Sequence, residues 1–177
     1  MTMTVETLYD CLAETFAVTI EHDHDHDCLH LYLQHEDYRT ALTIELFEYE
    51  IVHHPETHYG IKLWTTFIDD EDGNLLNLRH YDDAAIDALA HQLSDEIQWC
   101  RVRPLMIDET LATVELYRAV HLPNDASREL AEVLQESVND MLCEWVTLYP
   151  LLSAVANSTL TDLSHLGTLM NHSGVQQ

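Results

Sequence analysis

Alternation of apolar and polar residues along short stretches constrains the fold of this chain more than any other feature of its sequence. Leu29, Leu31 and Leu33 alternate with polar or aromatic side chains, and the same period of two recurs across residues 40–51 and 59–68. Successive side chains of a strand point to opposite faces of a sheet. The pattern therefore predicts three antiparallel strands that bury one face.

Two further stretches, residues 101–107 and 111–122, are rich in β-branched and aliphatic residues. Asp108 and Glu109 lie between them and are typical of a turn. We expect these two stretches to form a β-hairpin, which brings the predicted sheet to five strands.

Three segments with helical spacing accompany the strands. The first spans residues 5–16, the second begins at a cap provided by Asp82 or Asp83, and the third begins at Asn124 or Asp125 and is interrupted by Pro150. Their apolar stripes consist of Val5, Leu8, Leu12 and Phe16; of Ile86, Leu89, Ala90, Leu93 and Ile97; and of Leu130, Leu134, Val138, Met141, Trp145 and Leu148. The predicted fold is α+β in the order α-β-β-β-α-β-β-α, a twisted antiparallel sheet covered by helices.

A chain of 177 residues fits a single domain, which we place at residues 1–152. Residues 153–177 are mainly small and polar and are predicted to be a C-terminal tail. Residues 21–27 alternate histidine with aspartate after Glu21 and contain nothing to bury, so they are predicted to be an exposed loop.

The charge balance excludes several classes of partner. Against 32 acidic side chains the chain has seven basic ones, which gives a formal net charge of -25. Phosphate backbones and anionic membrane surfaces would repel such a protein, so we expect neither direct nucleic-acid binding nor a membrane partner. The first residues lack the cationic region of a signal peptide, and the most apolar segment, residues 145–156, is too short to span a bilayer. A cytoplasmic location is therefore expected.

The sequence contains no catalytic signature. The four cysteines form no C-x-x-C pair and are interpreted as buried thiols. His54 and His58 have the spacing of the zinc peptidase motif, but Pro55 follows His54 where that motif requires glutamate. No G-x-S-x-G motif or glycine-rich phosphate loop is present. We predict that the protein is not an enzyme and uses no cofactor.

Histidines concentrate between residues 22 and 58, which holds eight of the 13 in the chain. In an extended strand His22, His24 and His26 would share one face, and imidazoles beside carboxylates suit zinc, nickel or copper. A polar loop does not fix such ligands, so a solvated loop is the preferred interpretation and a metal site is the alternative.

The third helix carries five acids on the side away from its apolar stripe: Glu129, Glu132, Glu136, Asp140 and Glu144. The ordinary interpretation is a solvated surface. The alternative is mimicry of DNA by an inhibitor of a nucleic-acid-binding protein. Five charges over fifteen helical residues give about one per 4–5 Å, a poor likeness to the duplex spacing of about 1.7 Å.

Aromatic residues alternate with the predicted core residues of the strands. They are Tyr32, Phe47, Tyr49, Trp64 and Tyr117. A bare sheet face with these side chains would be an unusually large apolar patch for a monomer. Either the first and third helices cover them, or a second copy or another protein does.

Residues 82–99, the hairpin at 101–122 and the polar cap leading into the last helix together resemble the YbjN family and the related type III secretion chaperone fold. The resemblance spans residues 5–150. It implies a cytoplasmic, non-catalytic protein-binding module, chaperone-like or adaptor-like, that forms a homodimer. The predicted partner-binding residues are Trp64, Tyr117, Phe47, Tyr49, Glu129, Glu132, Glu136 and Asp140.

Overall fold

Three helices and six strands make up the structure, a computed structural model that describes residues 3–35, 38–52, 54–68, 74–123 and 128–157. In chain order the elements are α1 Val5–Thr15, β1 Thr19–Asp23, β2 Cys28–His35, β3 Tyr38–Ile51, β4 His54–Thr66, α2 Asp83–Glu96, β5 Arg101–Met106, β6 Ala112–His121 and α3 Arg128–Ala156. The strands form one antiparallel sheet in the order β1-β2-β3-β4-β6-β5. The predicted α+β class with an antiparallel sheet is confirmed.

Strand β1 was not predicted, so the sheet has six strands rather than five. Glu21, His22 and Asp23 belong to β1, and residues 24–27 form the turn into β2. The prediction of a loop across residues 21–27 is therefore wrong at its start. The physical reason is that an edge strand can form with little apolar surface. Ile20 lies opposite Leu31, and backbone hydrogen bonds to β2 supply the remaining stabilisation of β1.

The chain divides into two compact units, Met1–Thr65 with Tyr117–Met141, and Thr66–Leu116 with Leu142–Gln177. In the first unit the register places Leu29 opposite Ile44 and Ile44 opposite Leu63, so these side chains share one face. The core residues that are at most 1% exposed are Leu8, Leu12, Leu29, Leu31, Leu42, Ile44, Ile61, Leu63, Leu130, Leu134, Val138 and Met141. Thr4 caps α1 by accepting a hydrogen bond from the Thr7 N–H at 3.2 Å.

In the second unit, Trp145 organises the core. Its ring stacks on Phe67 with centroids 5.8 Å apart, and its Nε1 donates to the Thr66 carbonyl at 3.1 Å. The predicted α2 stripe is buried from Ile86 to Leu93, and Asp82 is the N-cap, as predicted.

Helix α3 continues through Pro150 to Ala156, so the predicted interruption at Pro150 is wrong. Proline inside a helix costs about 3 kcal/mol, but Leu151, Leu152 and Val155 beyond it are buried and offset that cost. The first four residues of the predicted tail are thus helical. The predicted caps Asn124 and Asp125 and the tail from residue 158 lie outside the described residues. Within the described ranges no helix is long and apolar enough to cross a membrane.

Candidate functional site on the open face of the sheet

Strand pairing in the first unit places a second set of side chains on the face opposite the core, here called the open face. On β3 and β4 the opposed pairs are Thr43 and Trp64, Glu45 and Lys62, Phe47 and Gly60, and Tyr49 and His58. On β2 the residues of the open face are Cys28, His30 and Tyr32. The core face of these strands carries side chains that are at most 1% exposed, such as Leu29, Ile44 and Leu63. On the open face, Phe47, Tyr49 and Trp64 are half-buried and Tyr32 is 47% exposed. The open face is therefore accessible to solvent.

Of the four aromatic residues predicted to bind a partner, Phe47, Tyr49 and Trp64 lie on this face of β3 and β4. The Phe47 and Tyr49 rings are 5.8 Å apart, and Tyr49 also lies 5.5 Å from His58 and 5.0 Å from His121. His121 thus lies on the open face of β6, and alternation along β6 places Tyr117, the fourth, on the same face. Phe47, Tyr49, Trp64 and Tyr117 are called the aromatic patch below.

Gly60 has no side chain, which leaves room for the Phe47 ring of the aromatic patch to pack against the backbone of β4. A Cβ atom there would lie 2.4 Å from Cζ of Phe47 and 3.0 Å from the Val120 carbonyl oxygen. The Phe47 ring therefore lies directly against the backbone of β4. Lys62 Nζ sits 5.5 Å from the centre of the same ring and donates to Glu45 Oε1 at 2.9 Å.

Carboxylates of the open face concentrate near the β1–β2 end. Tyr32 donates its hydroxyl to Glu21 Oε2 at 2.8 Å, and this hydrogen bond raises the pKa of Tyr32. Burial, followed by the charges of Asp23 and Glu45, raises the pKa of the Cys28 thiol. The open face thus carries carboxylates on β1 and β3, and Glu45, which precedes the aromatic patch residue Phe47 on the same face of β3, is paired with Lys62.

Of the three histidines predicted as ligands, His22 lies on β1, whereas His24 and His26 lie in the turn that follows it. His22 lies opposite Leu29, on the core side of the sheet, and its ring is 4.0 Å from that of His24. His26 lies in the turn, and its Nδ1 is 2.8 Å from Asp23 Oδ2. The extended strand in which His22, His24 and His26 would share one face does not form, because β1 ends at Asp23 and residues 24–27 turn.

A different group of potential metal ligands meets on the open face. Asp23 and Cys28 are directly opposed in the ladder, and His30 follows two residues later on the same side. One ligand atom from each lies within 4.8 Å of the others. The hydrogen bond to His26 holds the pKa of the Asp23 carboxyl at about 2, so this group is ionised near neutral pH. Sequence reasoning missed this group because Asp23 was assigned to a loop.

Comparison with solved structures identified a similar fold. The crystal structure of YbjN from E. coli, described as a candidate transcription regulator, matches with a TM-score of 0.50 and 11% sequence identity, covering 88% of this chain and 96% of that one. This chain has a YbjN-like fold. The predicted resemblance to the YbjN fold is thereby confirmed, and at this identity the likeness concerns the fold alone. No protein-family model and no curated protein sequence matches the chain.

The acids of α3 in this YbjN-like fold do not form the predicted uniform stripe. Glu129, Glu132 and Glu136 are exposed, while Asp140 Oδ2 accepts a hydrogen bond from Arg118 Nη1 at 2.7 Å. Glu144 is only 5% exposed, so its assignment to a solvated surface is wrong. Its oxygens accept from the backbone N–H groups of the loop between α2 and β5, at Gln98, Trp99 and Cys100.

The cysteines differ in accessibility. Cys28 and Cys100 are buried, Cys11 is half-buried and Cys143 is exposed. The prediction of four buried thiols is therefore wrong for Cys143, which lies on the solvent side of α3. It holds only in part for Cys11, which is half-buried. All four are free thiols.

Proposed function

We propose that this YbjN-like domain is a non-catalytic cytoplasmic module that binds another protein through the open face of its sheet. The observation that supports the proposal best is the aromatic patch, whose half-buried apolar rings share one face of the sheet with the carboxylates of Glu21, Asp23 and Glu45. Aromatic residues supply a large share of the energy at protein interfaces. Fully burying one such side chain contributes roughly 1.5–3 kcal/mol, so completing the burial of several would stabilise a complex appreciably.

The occupant that fits this surface is a basic segment with apolar side chains. A chain with a net charge of -25 attracts cationic partners and accelerates their association. A second copy would bring the same charge to the interface, and the two acidic chains would repel each other. We therefore favour a basic client over the homodimer that the resemblance implies, and treat the homodimer as an outcome that the experiment distinguishes.

A regulatory role would follow from the same surface. E. coli YbjN is described as a candidate transcription regulator. For the present chain, its charge disfavours direct contact with DNA, so regulation would act through a DNA-binding protein. The alternative of DNA mimicry relies on Glu129, Glu132 and Glu136, which are exposed but sparse.

The experiment uses a matched pair of tryptophan substitutions. Trp64→Ala removes a ring from the open face, and Trp99→Ala removes a 45% exposed ring from the loop before β5. Binding is measured by fluorescence anisotropy with a labelled synthetic peptide of alternating lysine and leucine, and with its glutamate counterpart. We expect the wild type and Trp99→Ala to bind the basic peptide, with weaker binding at high salt. Trp64→Ala should bind it at least tenfold more weakly, a loss of about 1.4 kcal/mol.

Equal affinity of the two variants for the basic peptide would remove the open face as the binding surface. Sedimentation of the free protein identifies the homodimer: a dimer that dissociates in Trp64→Ala but not in Trp99→Ala would replace the proposed client by a second copy. Competition with duplex DNA for a purified DNA-binding protein, lost in Glu129→Gln/Glu132→Gln/Glu136→Gln but kept in Trp64→Ala, would establish mimicry instead.

A further inference from the structure

The end of the β1–β2 hairpin brings together oxygen, sulfur and nitrogen ligands on one side of the sheet. We propose that Asp23, Cys28 and His30 bind a zinc ion there. His26, in the turn, supplies the fourth ligand. This inference does not rest on the proposed protein-binding function: the ligands share the open face with the aromatic patch, but none of them belongs to it.

The distances between the ligand atoms are close to those that zinc requires. His30 Nε2 lies 3.8 Å from Cys28 Sγ and 3.8 Å from Asp23 Oδ2. Tetrahedral zinc, with bonds of about 2.0–2.3 Å, places neighbouring ligand atoms roughly 3.3–3.6 Å apart. The two measured separations thus need to shorten by a few tenths of an ångström. The third separation, between Asp23 and Cys28, is at most 4.8 Å and needs to shorten by at most about 1.5 Å, within reach of a carboxylate rotation.

Neighbouring groups already orient two of the ligands. Asp23 Oδ1 accepts hydrogen bonds from the backbone N–H groups of Asp25, at 2.9 Å, and His26, at 3.2 Å, which leaves Oδ2 directed toward the imidazoles. His30 Nδ1 lies 3.0 Å from Thr43 Oγ1. When Nδ1–H donates to this hydroxyl, Nε2 keeps its lone pair for a metal, an arrangement that metal-binding histidines commonly share.

The ligand types select the ion. A thiolate and imidazoles favour zinc and related transition metals over calcium or magnesium, which require oxygen ligands. Cys28 is 5% exposed, so its sulfur is sheltered from bulk water. One carboxylate and one thiolate balance the charge of a divalent ion. The His26 side chain is 77% exposed and its Nδ1 lies 2.8 Å from Asp23 Oδ2, so a rotation of this exposed ring away from its hydrogen bond would bring it to the fourth position.

The test uses cobalt as a spectroscopic probe for zinc. The full chain is stripped with a chelator and titrated with Co²⁺, and thiolate-to-cobalt charge-transfer absorption is recorded in the near ultraviolet. We expect one Co²⁺ per chain, displaced by one Zn²⁺. Cys28→Ser should abolish the charge-transfer band, and His30→Gln should weaken Co²⁺ binding at least tenfold. Thr43→Val, which removes the orienting hydroxyl, should weaken it about 10–100-fold.

Matched controls separate this site from the remaining thiols and histidines. Cys143→Ser removes an exposed thiol, and His24→Gln removes an imidazole of the same turn; both should leave Co²⁺ affinity unchanged. Circular dichroism of the metal-free variants verifies folding. If Cys28→Ser does not fold, the Co²⁺ affinities of His30→Gln and Thr43→Val test the proposal in its place. Absence of stoichiometric binding, a band that depends on Cys143, or affinity that depends on His24 but not His30 would overturn the proposal.

Discussion

Glu144 provides the sharpest test of how the acidic residues of this protein divide between surface and structure. Its carboxylate accepts three backbone hydrogen bonds, at 2.7 Å from Gln98, 2.7 Å from Trp99 and 2.9 Å from Cys100. These bonds fix the loop that leads from α2 into β5. We predict that Glu144→Ala strongly destabilises the protein although it removes one negative charge from a chain with a large excess.

The magnitude follows from the three donors. Gln98 and Trp99 are exposed, so water can replace the carboxylate there and each loss costs about 1 kcal/mol. The Cys100 residue is buried, and an unsatisfied N–H in that position costs about 1–3 kcal/mol. The sum is about 3–5 kcal/mol of unfolding free energy. Glu144→Gln keeps one acceptor oxygen for two of the donors and should cost less, about 1–3 kcal/mol.

Urea unfolding followed by tryptophan fluorescence measures this loss. For an m-value of about 2 kcal/mol per M, the midpoint of Glu144→Ala should fall by about 1.5–2.5 M. The matched control is Glu136→Ala, an exposed acid of the same helix, which should change stability by less than about 0.5 kcal/mol. Equal midpoints for Glu144→Ala and Glu136→Ala would refute the assignment of a structural role to Glu144.

Three other substitutions test individual features of the fold. Gly60→Ala should displace the Phe47 ring and destabilise the protein by about 1–3 kcal/mol in thermal unfolding; an unchanged melting temperature would contradict the close contact. The Thr110 hydroxyl and backbone N–H lower the pKa of Asp108 below its ordinary value of 3.8, so this carboxylate contributes stability above that pH and loses it as pH falls through the lowered pKa. Thr110→Val should raise the NMR titration midpoint of Asp108, and a midpoint that does not move would exclude the hydroxyl as its cause. Asp82→Ala should cost about 0.5–2 kcal/mol in urea unfolding through loss of the α2 cap, whereas no change would show that the cap is dispensable.

Periodicity predicted most of the fold because burial on one face leaves a regular signal. The alternation around Leu31 and Ile44 predicted two strands, and the stripe from Ile86 to Leu93 predicted α2. Strand β1 was not predicted because its mainly polar residues show no apolar alternation. Its backbone pairing with β2 stabilises it instead. The part of α3 beyond Pro150 was not predicted either. The low helix propensity of proline favours a break there, but burial of the residues that follow it overrides that preference.

Of the candidate site, only the residues whose face follows from the alternation of apolar and polar side chains along a strand could be predicted. Phe47 and Trp64 were assigned to the face opposite the core from period alone, and the structure places them there. The proximity of Asp23 to Cys28 depends instead on the register of the hairpin, which the sequence does not state in advance. Glu144 shares the helical spacing of its exposed neighbours, and only tertiary structure distinguishes it, because the loop it caps lies 44 residues away from it at Cys100.

Thr43 lies between the proposed metal site and the aromatic patch, so a substitution there affects both. It lies opposite His30 on β2 and opposite Trp64 on β4, so it is the direct neighbour of both sites on the open face. Thr43→Val therefore removes the hydroxyl that orients His30 and also alters the surface beside Trp64. Cys28 lies opposite Glu45 instead, so Cys28→Ser perturbs the metal ligands without touching the neighbour of Trp64. If Cys28→Ser loses metal but still binds the basic peptide, the two functions are separate; if it loses both, the ion itself supports the open face.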